Sequence, residues 1–261
     1  MLRLLTIEFH KLKHNKASKI LSLIYFGLLI CIALTAAIKF DVGPIKFHLA
    51  EMGIFNFPYI WHFNTYVAAI LKFFLLLVIV SMMANEYSYK TLKQNLIDGL
   101  SKKEFILSKF YTVVAFAFAS TFFVFITSLI LGLIYSDYNE FAIITSDLTY
   151  FLAFFIKLIG YFSFGLFLGI LVKRSAFAVG AMLVWYFIEW IIFGILGWKF
   201  VSWETAQSIK NFLPLEAMSN LIKEPGSRLG AVRSIANQIG ETFTKTYAVE
   251  FSTITIVSLW T

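Results

Sequence analysis

The chain has 261 residues, of which 59% are hydrophobic and 14% charged, with a mean hydropathy of +0.80 and a formal net charge of +7. A soluble domain carries roughly 25% charged residues, so this composition excludes one and predicts an all-α integral membrane protein. The cations sit beside apolar runs, where they set topology and meet anionic headgroups, so the positive balance is not a nucleic-acid signature.

Residues 1–19 place Leu2, Leu5, Phe9 and Leu12 on one helical face, with Arg3, Lys11, Lys13, Lys16 and Lys19 mostly elsewhere. That pattern predicts an interfacial helix lying on an anionic leaflet. A secretory signal is the competing reading, but no small-residue cleavage pattern follows the long first apolar run, which is therefore read as a retained span. His10 and His14 are one turn apart, yet no third ligand is near, so no metal site is expected. The single cysteine, Cys31, lies in an apolar run and reads as a small buried hydrophobe.

Six membrane spans are expected, at about 20–38, 63–83, 110–135, 150–172, 175–198 and 247–261. The last run is short for a span, at about 22 Å of helix against a hydrocarbon core of about 30 Å, and a chain stopping inside span six is the reading preferred. Between spans one and two, Gly43, Pro44 and Pro58 break the chain among aromatic residues that suit a headgroup belt. The segment 199–246 is interrupted by Pro214, Pro225 and Gly226, which predicts short amphipathic helices at the outer surface. Gly160, Gly165 and Gly169 in span four suit close helix packing.

Between spans two and three lies a polar stretch with Leu92, Leu96 and Leu100 at intervals of four and Lys90, Lys93, Gln94 and Asn95 on the other sides. It reads as an amphipathic helix over 86–98, ended by Gly99. Ser101 and Glu104 then form the S-x-x-E pattern of a capping box, which starts the helix of span three. Cations concentrate in the N-terminal segment, in this stretch and in the turn Lys173-Arg174, while residues 136–149 carry no Lys or Arg. The N-terminus and the polar stretch therefore face the cytoplasm, in an inner, cytoplasmic membrane. The six cations of the segment 199–246, against four acids, run against that rule on the outer side.

Lys72, Lys157, Glu189 and Glu250 fall within apolar runs, where charge is costly and marks a functional candidate. Pairing of Lys72 or Lys157 with Glu189, or snorkelling of the lysines, is the structural reading. An ATP-independent ion-coupled carrier that uses these charges, or an intramembrane enzyme, is the alternative function. Catalytic motifs are missing, including H-E-x-x-H, G-x-S-x-G and a P-loop, so the chain is not expected to catalyse a reaction or to hydrolyse ATP itself.

The order of a basic N-terminal helix, two spans, Glu86 and Thr91 in a cytoplasmic helix, then Ser101, Lys102, Phe105 and Lys109 leading into span three resembles the permease subunits of type-2 ATP-binding-cassette (ABC) exporters. In that family the stretch typically carries an acidic residue, a Gly-Thr pair, a Pro-x-Ser/Thr-Arg turn and a lysine. Here Lys90 replaces the glycine, Gly99-Leu100 stands where proline is usual, and Lys102 replaces the arginine. The resemblance implies that two permease subunits, identical or related, sit on two ATPase subunits that bind ATP and Mg. It also implies that 86–98 is a coupling helix in an ATPase cleft, and that spans two and five line the permease dimer interface. Leu92 and Leu96 would fill that cleft, with Glu86, Lys90, Thr91 and Lys93 setting register.

Overall fold

The computed structural model describes residues 2–37, 40–42, 45–47, 53–228 and 247–261. Helix α1 (Leu2–His14) ends at Asn15, whose side chain accepts the Ser18 amide (3.2 Å) and so starts α2 (Lys16–Ala37). A small antiparallel hairpin follows, β1 (Phe40–Val42) paired with β2 (Ile45–Phe47), in a region expected to be loop. The second span is two helices, α3 (Tyr59–Leu71) and α4 (Phe73–Ser88), bent by 42° at Lys72. No proline marks the bend, and the Lys72 ammonium donates to the Ala69 carbonyl at 2.8 Å beside it.

Helix α5 (Thr91–Ile97) lies between α4 and α6 (Lys102–Tyr135). The short α7 (Phe141–Ile144) leads into α8 (Thr149–Val172), which the turn Lys173-Arg174 joins to α9 (Ser175–Ile195). A π turn (Leu196–Phe200) ends α9, and α10 (Trp203–Phe212) and α11 (Pro214–Asn220) follow, with Pro214 in the first turn where its missing N–H costs nothing. A 3₁₀ turn (Gly226–Arg228) and α12 (Phe251–Leu259) complete the described elements. The expected short helices of the outer segment are α10 and α11; its residues 229–246 lie outside the described ones.

Four helices, α2, α6, α8 and α9, are long and apolar enough to cross a membrane, and the bent α3–α4 pair makes a fifth. The expected sixth span, 247–261, lies within the described residues, where only Phe251–Leu259 is helical and no span candidate is formed. Helix α12 has nine residues, about 14 Å of helix, and packs beside α8 and α11. Glu250, expected inside that span, is the exposed residue before α12 and lies 3.5 Å from Lys223.

The core is built on α4, whose Leu75, Leu76, Val78, Ile79, Val80 and Met83 are all buried, against Phe154, Leu158, Phe162 and Leu166 of α8. Glycines permit that approach. A Cβ at Gly165 would stand 2.3 Å from Leu76 Cδ1, and one at Gly169 would stand 3.4 Å from Met83. Span two is thus the centre of the single chain rather than an outer face. Helix α9 is the opposite case, burying only Ala178, Met182 and Glu189 and exposing Val184, Phe187 and Ile191.

Gly165→Val should therefore destabilise the bundle by about 1–3 kcal/mol through overpacking. Gly180→Ala on α9, where an added methyl meets nothing within 4 Å, should leave the thermal midpoint in detergent unchanged or slightly raised. Equal midpoints for the two variants would show that the α4–α8 contact is not tight.

Candidate functional site

The polar stretch is not one helix over 86–98. Helix α4 continues to Ser88, and the chain turns through Tyr89 and Lys90, with Lys90 left-handed at φ 56° before α5 begins at Thr91. Lys90 stands where the resemblance puts glycine, and its backbone is the conformation that glycine adopts without strain. At the far end the Leu100 amide bonds the Asn95 carbonyl (3.0 Å) and the Gly99 amide bonds the Leu96 carbonyl (3.3 Å), with Gly99 at φ 94°. This is a Schellman cap, and it explains why α5 stops where the glycine is. The capping box is formed in both directions: the Glu104 amide donates to Ser101 Oγ (3.2 Å) and the Ser101 amide to Glu104 Oε2 (3.0 Å).

Glu86 differs most from expectation. It is 3% exposed and forms the centre of a buried charge cluster rather than an outward docking contact. Lys109 of α6, fully buried, donates to Glu86 Oε1 and to Glu8 Oε2 of α1, each at 2.6 Å. Lys11 of α1 reaches the same Glu86 Oε1 at 2.8 Å, and Thr91 Oγ1 donates to Oε2. Two carboxylates and two ammoniums balance, so the cluster is neutral as a whole. It ties α1, the end of α4, the first residue of α5 and the start of α6 to one another.

The leucines also differ from expectation. Leu92 and Leu96 are half-buried, and Leu92 packs against the chain's own core, so the outward face of α5 is instead Lys90, Lys93, Gln94 and Ile97. Ile97 is 78% exposed, and Tyr89 just before α5 is 75% exposed.

The three charges inside spans do not pair with one another. Glu189 accepts hydrogen bonds from the Leu215 and Glu216 amides (3.0 and 2.9 Å) at the start of α11, and from Trp185 Nε1 (3.0 Å). Lys157 donates to the Ser219 carbonyl (3.1 Å) in the last turn of the same helix. A carboxylate at the amide end and an ammonium at the carbonyl end both complement the α11 dipole. Lys72, besides its bond to Ala69, lies 4.4 Å from the centre of the Tyr161 ring.

Several partners escaped sequence reasoning. In the sequence Lys11 reads as part of a basic face and Glu8 is given no role, although a lone acid among five cations is a signal in itself. Arg228, His62 and Tyr150 meet at the opposite end of the bundle, where the His62 and Tyr150 rings stack at 4.3 Å. His14 Nδ1 bonds the His10 carbonyl (2.8 Å), and no group of three or more metal-ligating side chains occurs among the described residues.

These helices define a multi-pass membrane protein with a short helix displayed at one end of the bundle. A family model for ABC-2 family transporter proteins matches residues 4–189, which run from α1 through most of α9. The chain belongs to that family, and it is a permease subunit of the ABC-2 type. No curated protein and no solved structure matches it.

Lys109→Met strands Glu8 and Glu86 and should cost about 3–5 kcal/mol, the penalty for leaving buried charge uncompensated. Adding Glu86→Gln leaves Glu8 facing Lys11, 3.7 Å away, and should recover more than half of the lost thermal stability. A double variant no better than the single one would refute the charge-balance account.

Proposed function

We propose that the chain is the permease of an ATP-driven exporter and that α5 is its coupling helix, docked on a separate ATPase subunit that binds ATP and Mg. The observation that carries this reading is the union of an exposed outer face on α5 with a buried attachment. Lys90, Lys93, Gln94 and Ile97 are open to a partner, while Thr91 bonds Glu86, which Lys109 and Lys11 hold to α6 and α1. A push on α5 therefore reaches three other helices through one carboxylate. ATP biases the membrane conformations by differential contact with them, and α5 is the contact. The chain itself performs no chemistry.

The wide apolar face of α9 supports a second permease subunit, identical or related, packed on this span. With α1 and α5 at the cytoplasmic side of an inner membrane, the cations of the N-terminal segment, of the α5 region and of Lys173-Arg174 obey the positive-inside bias. Against the carrier alternative, which needs Lys72, Lys157 or Glu189, stands the engagement of Glu189 and Lys157 at the ends of α11 and of Lys72 on the Ala69 carbonyl.

The test is purification of the tagged permease in mild detergent with mass spectrometry of its partners. Wild type should bring a P-loop ATPase in stoichiometric amount, and Ile97→Asp should lower its recovery at least about tenfold, the effect of placing a charge at a buried interface centre. Its thermal midpoint should stay near wild type, whereas Leu92→Asp should lower the midpoint because Leu92 packs inward. Undiminished ATPase recovery with Ile97→Asp would remove α5 as the docking helix.

A further inference from the structure

A cavity of about 490 Å³ opens between the α1–α2 corner and the α4–α5 corner, within the range of small-ligand sites. One wall carries Lys11, His14 and Lys16; the other carries Asn85, Thr91 and the Glu86 carboxylate, which Lys109 and Lys11 already hold, with Leu12 and Met82 supplying apolar surface. The cations are not all accounted for by the chain. Glu8, Glu86, Lys11 and Lys109 balance internally, whereas Lys16 has no acidic partner within salt-bridge distance among the described residues. His14 uses Nδ1 on the His10 carbonyl, which leaves Nε2 for another partner. The level is that of lipid headgroups, because α1 is an interfacial helix and α2 enters the apolar region from Lys16.

We propose that this cavity binds the phosphate of an anionic phospholipid, held by Lys16 and His14 with the Asn85 side chain opposite and Thr91, its hydroxyl given to Glu86, alongside, and that the bound lipid sets the position of α5. Lys16 and His14 are exposed at the rim of the cavity, where they can meet a lipid phosphate at a membrane surface, and the apolar wall of Leu12 and Met82 suits the start of its chains rather than a free ion. Thr91 is the first residue of α5 and also the ligand of Glu86, so a phosphate beside it joins the α1–α2 corner to the root of the coupling helix. Lys11 lines the same cavity while donating to Glu86, which places the lipid next to the charge cluster. The regulatory half of this inference rests on the exporter reading; the binding half does not.

Native mass spectrometry of the purified permease alone, titrated with phosphatidylglycerol or phosphatidylcholine, tests the binding half without any ATPase. Wild type should retain phosphatidylglycerol preferentially, and His14→Gln/Lys16→Gln should lower its retention about fivefold or more, the expected effect of removing a lysine near an anionic headgroup. Lys13→Gln, an exposed neighbour that does not line the cavity, should change retention less than twofold. Equal retention of the two lipids, or equal losses from both variants, would overturn the site in favour of diffuse surface charge. Full displacement of the lipid by millimolar glycerol phosphate would identify a free phosphate ester as the ligand and overturn the lipid assignment. In proteoliposomes of the permease–ATPase complex, ATP hydrolysis should rise with the phosphatidylglycerol fraction for wild type and stay flat for the double variant. A parallel rise in both would overturn the regulatory half. Absence of an ATPase would sink the exporter reading and leave the native-spectrometry result intact.

Discussion

The structure depends on one ammonium shared between two carboxylates. Lys109 sits between Glu8 and Glu86 at 2.6 Å from each, with Lys11 completing the balance, and all but Lys11 are removed from solvent. Taking such ions out of water costs several kcal/mol each, so the cluster adds little net stability compared with well-packed apolar residues. What it supplies is geometry. An apolar contact tolerates sliding and rotation, whereas an ammonium with two carboxylate partners holds α1, α4 and α6 at one register, because a slip of even one residue strands a buried charge.

The opposite end of the chain uses the same logic with a backbone as partner. Helix α11 is too short to be stable by itself, and Glu189 from α9 and Lys157 from α8 hold its two ends. Two of the three charges inside apolar helices are thus spent on amides and a carbonyl of a seven-residue helix, while Lys72 bonds the Ala69 carbonyl. A proton-carrying carboxylate would need to lose and regain partners during a cycle; Glu189 has three donors and a structural task. This is why the location of a charge within a span, taken alone, is a poor guide to transport chemistry here.

Local features were legible in the sequence and tertiary pairing was not. The expected fourth span, 150–172, is α8 (Thr149–Val172) to within a residue, and the Gly99 stop and the Ser101–Glu104 box are both formed as their spacing required. These signals are local, set by hydrogen bonds a few residues apart. Glu8 and Lys109 are 101 residues apart and Lys11 and Glu86 are 75, and nothing in spacing relates them. The inward turn of Leu92 follows from the left-handed Lys90, which rotates α5 relative to α4 so that a continuous periodicity over 86–98 no longer applies. In the expected sixth span the apolar run begins at 247, and the helix starts four residues later, at Phe251.

The break at Lys90 also bears on the proposal that α5 is a coupling helix. Were α4 and α5 one helix, force on α5 would act along the axis of the most buried span and meet the packed core of Leu75, Leu76, Ile79 and Met83 directly. With a turn between them, α5 is a separate short rod, tied sideways through Glu86 to α6 and α1 by Lys109 and Lys11. Close-packed interiors shift between discrete arrangements rather than deform smoothly, so under the coupling-helix proposal a displacement of α5 would act on the contacts of Lys109 with its two carboxylates. Coupling of that kind is reciprocal, and under the same proposal a change in how α1 and α6 sit would equally alter how α5 presents its outer face to a partner.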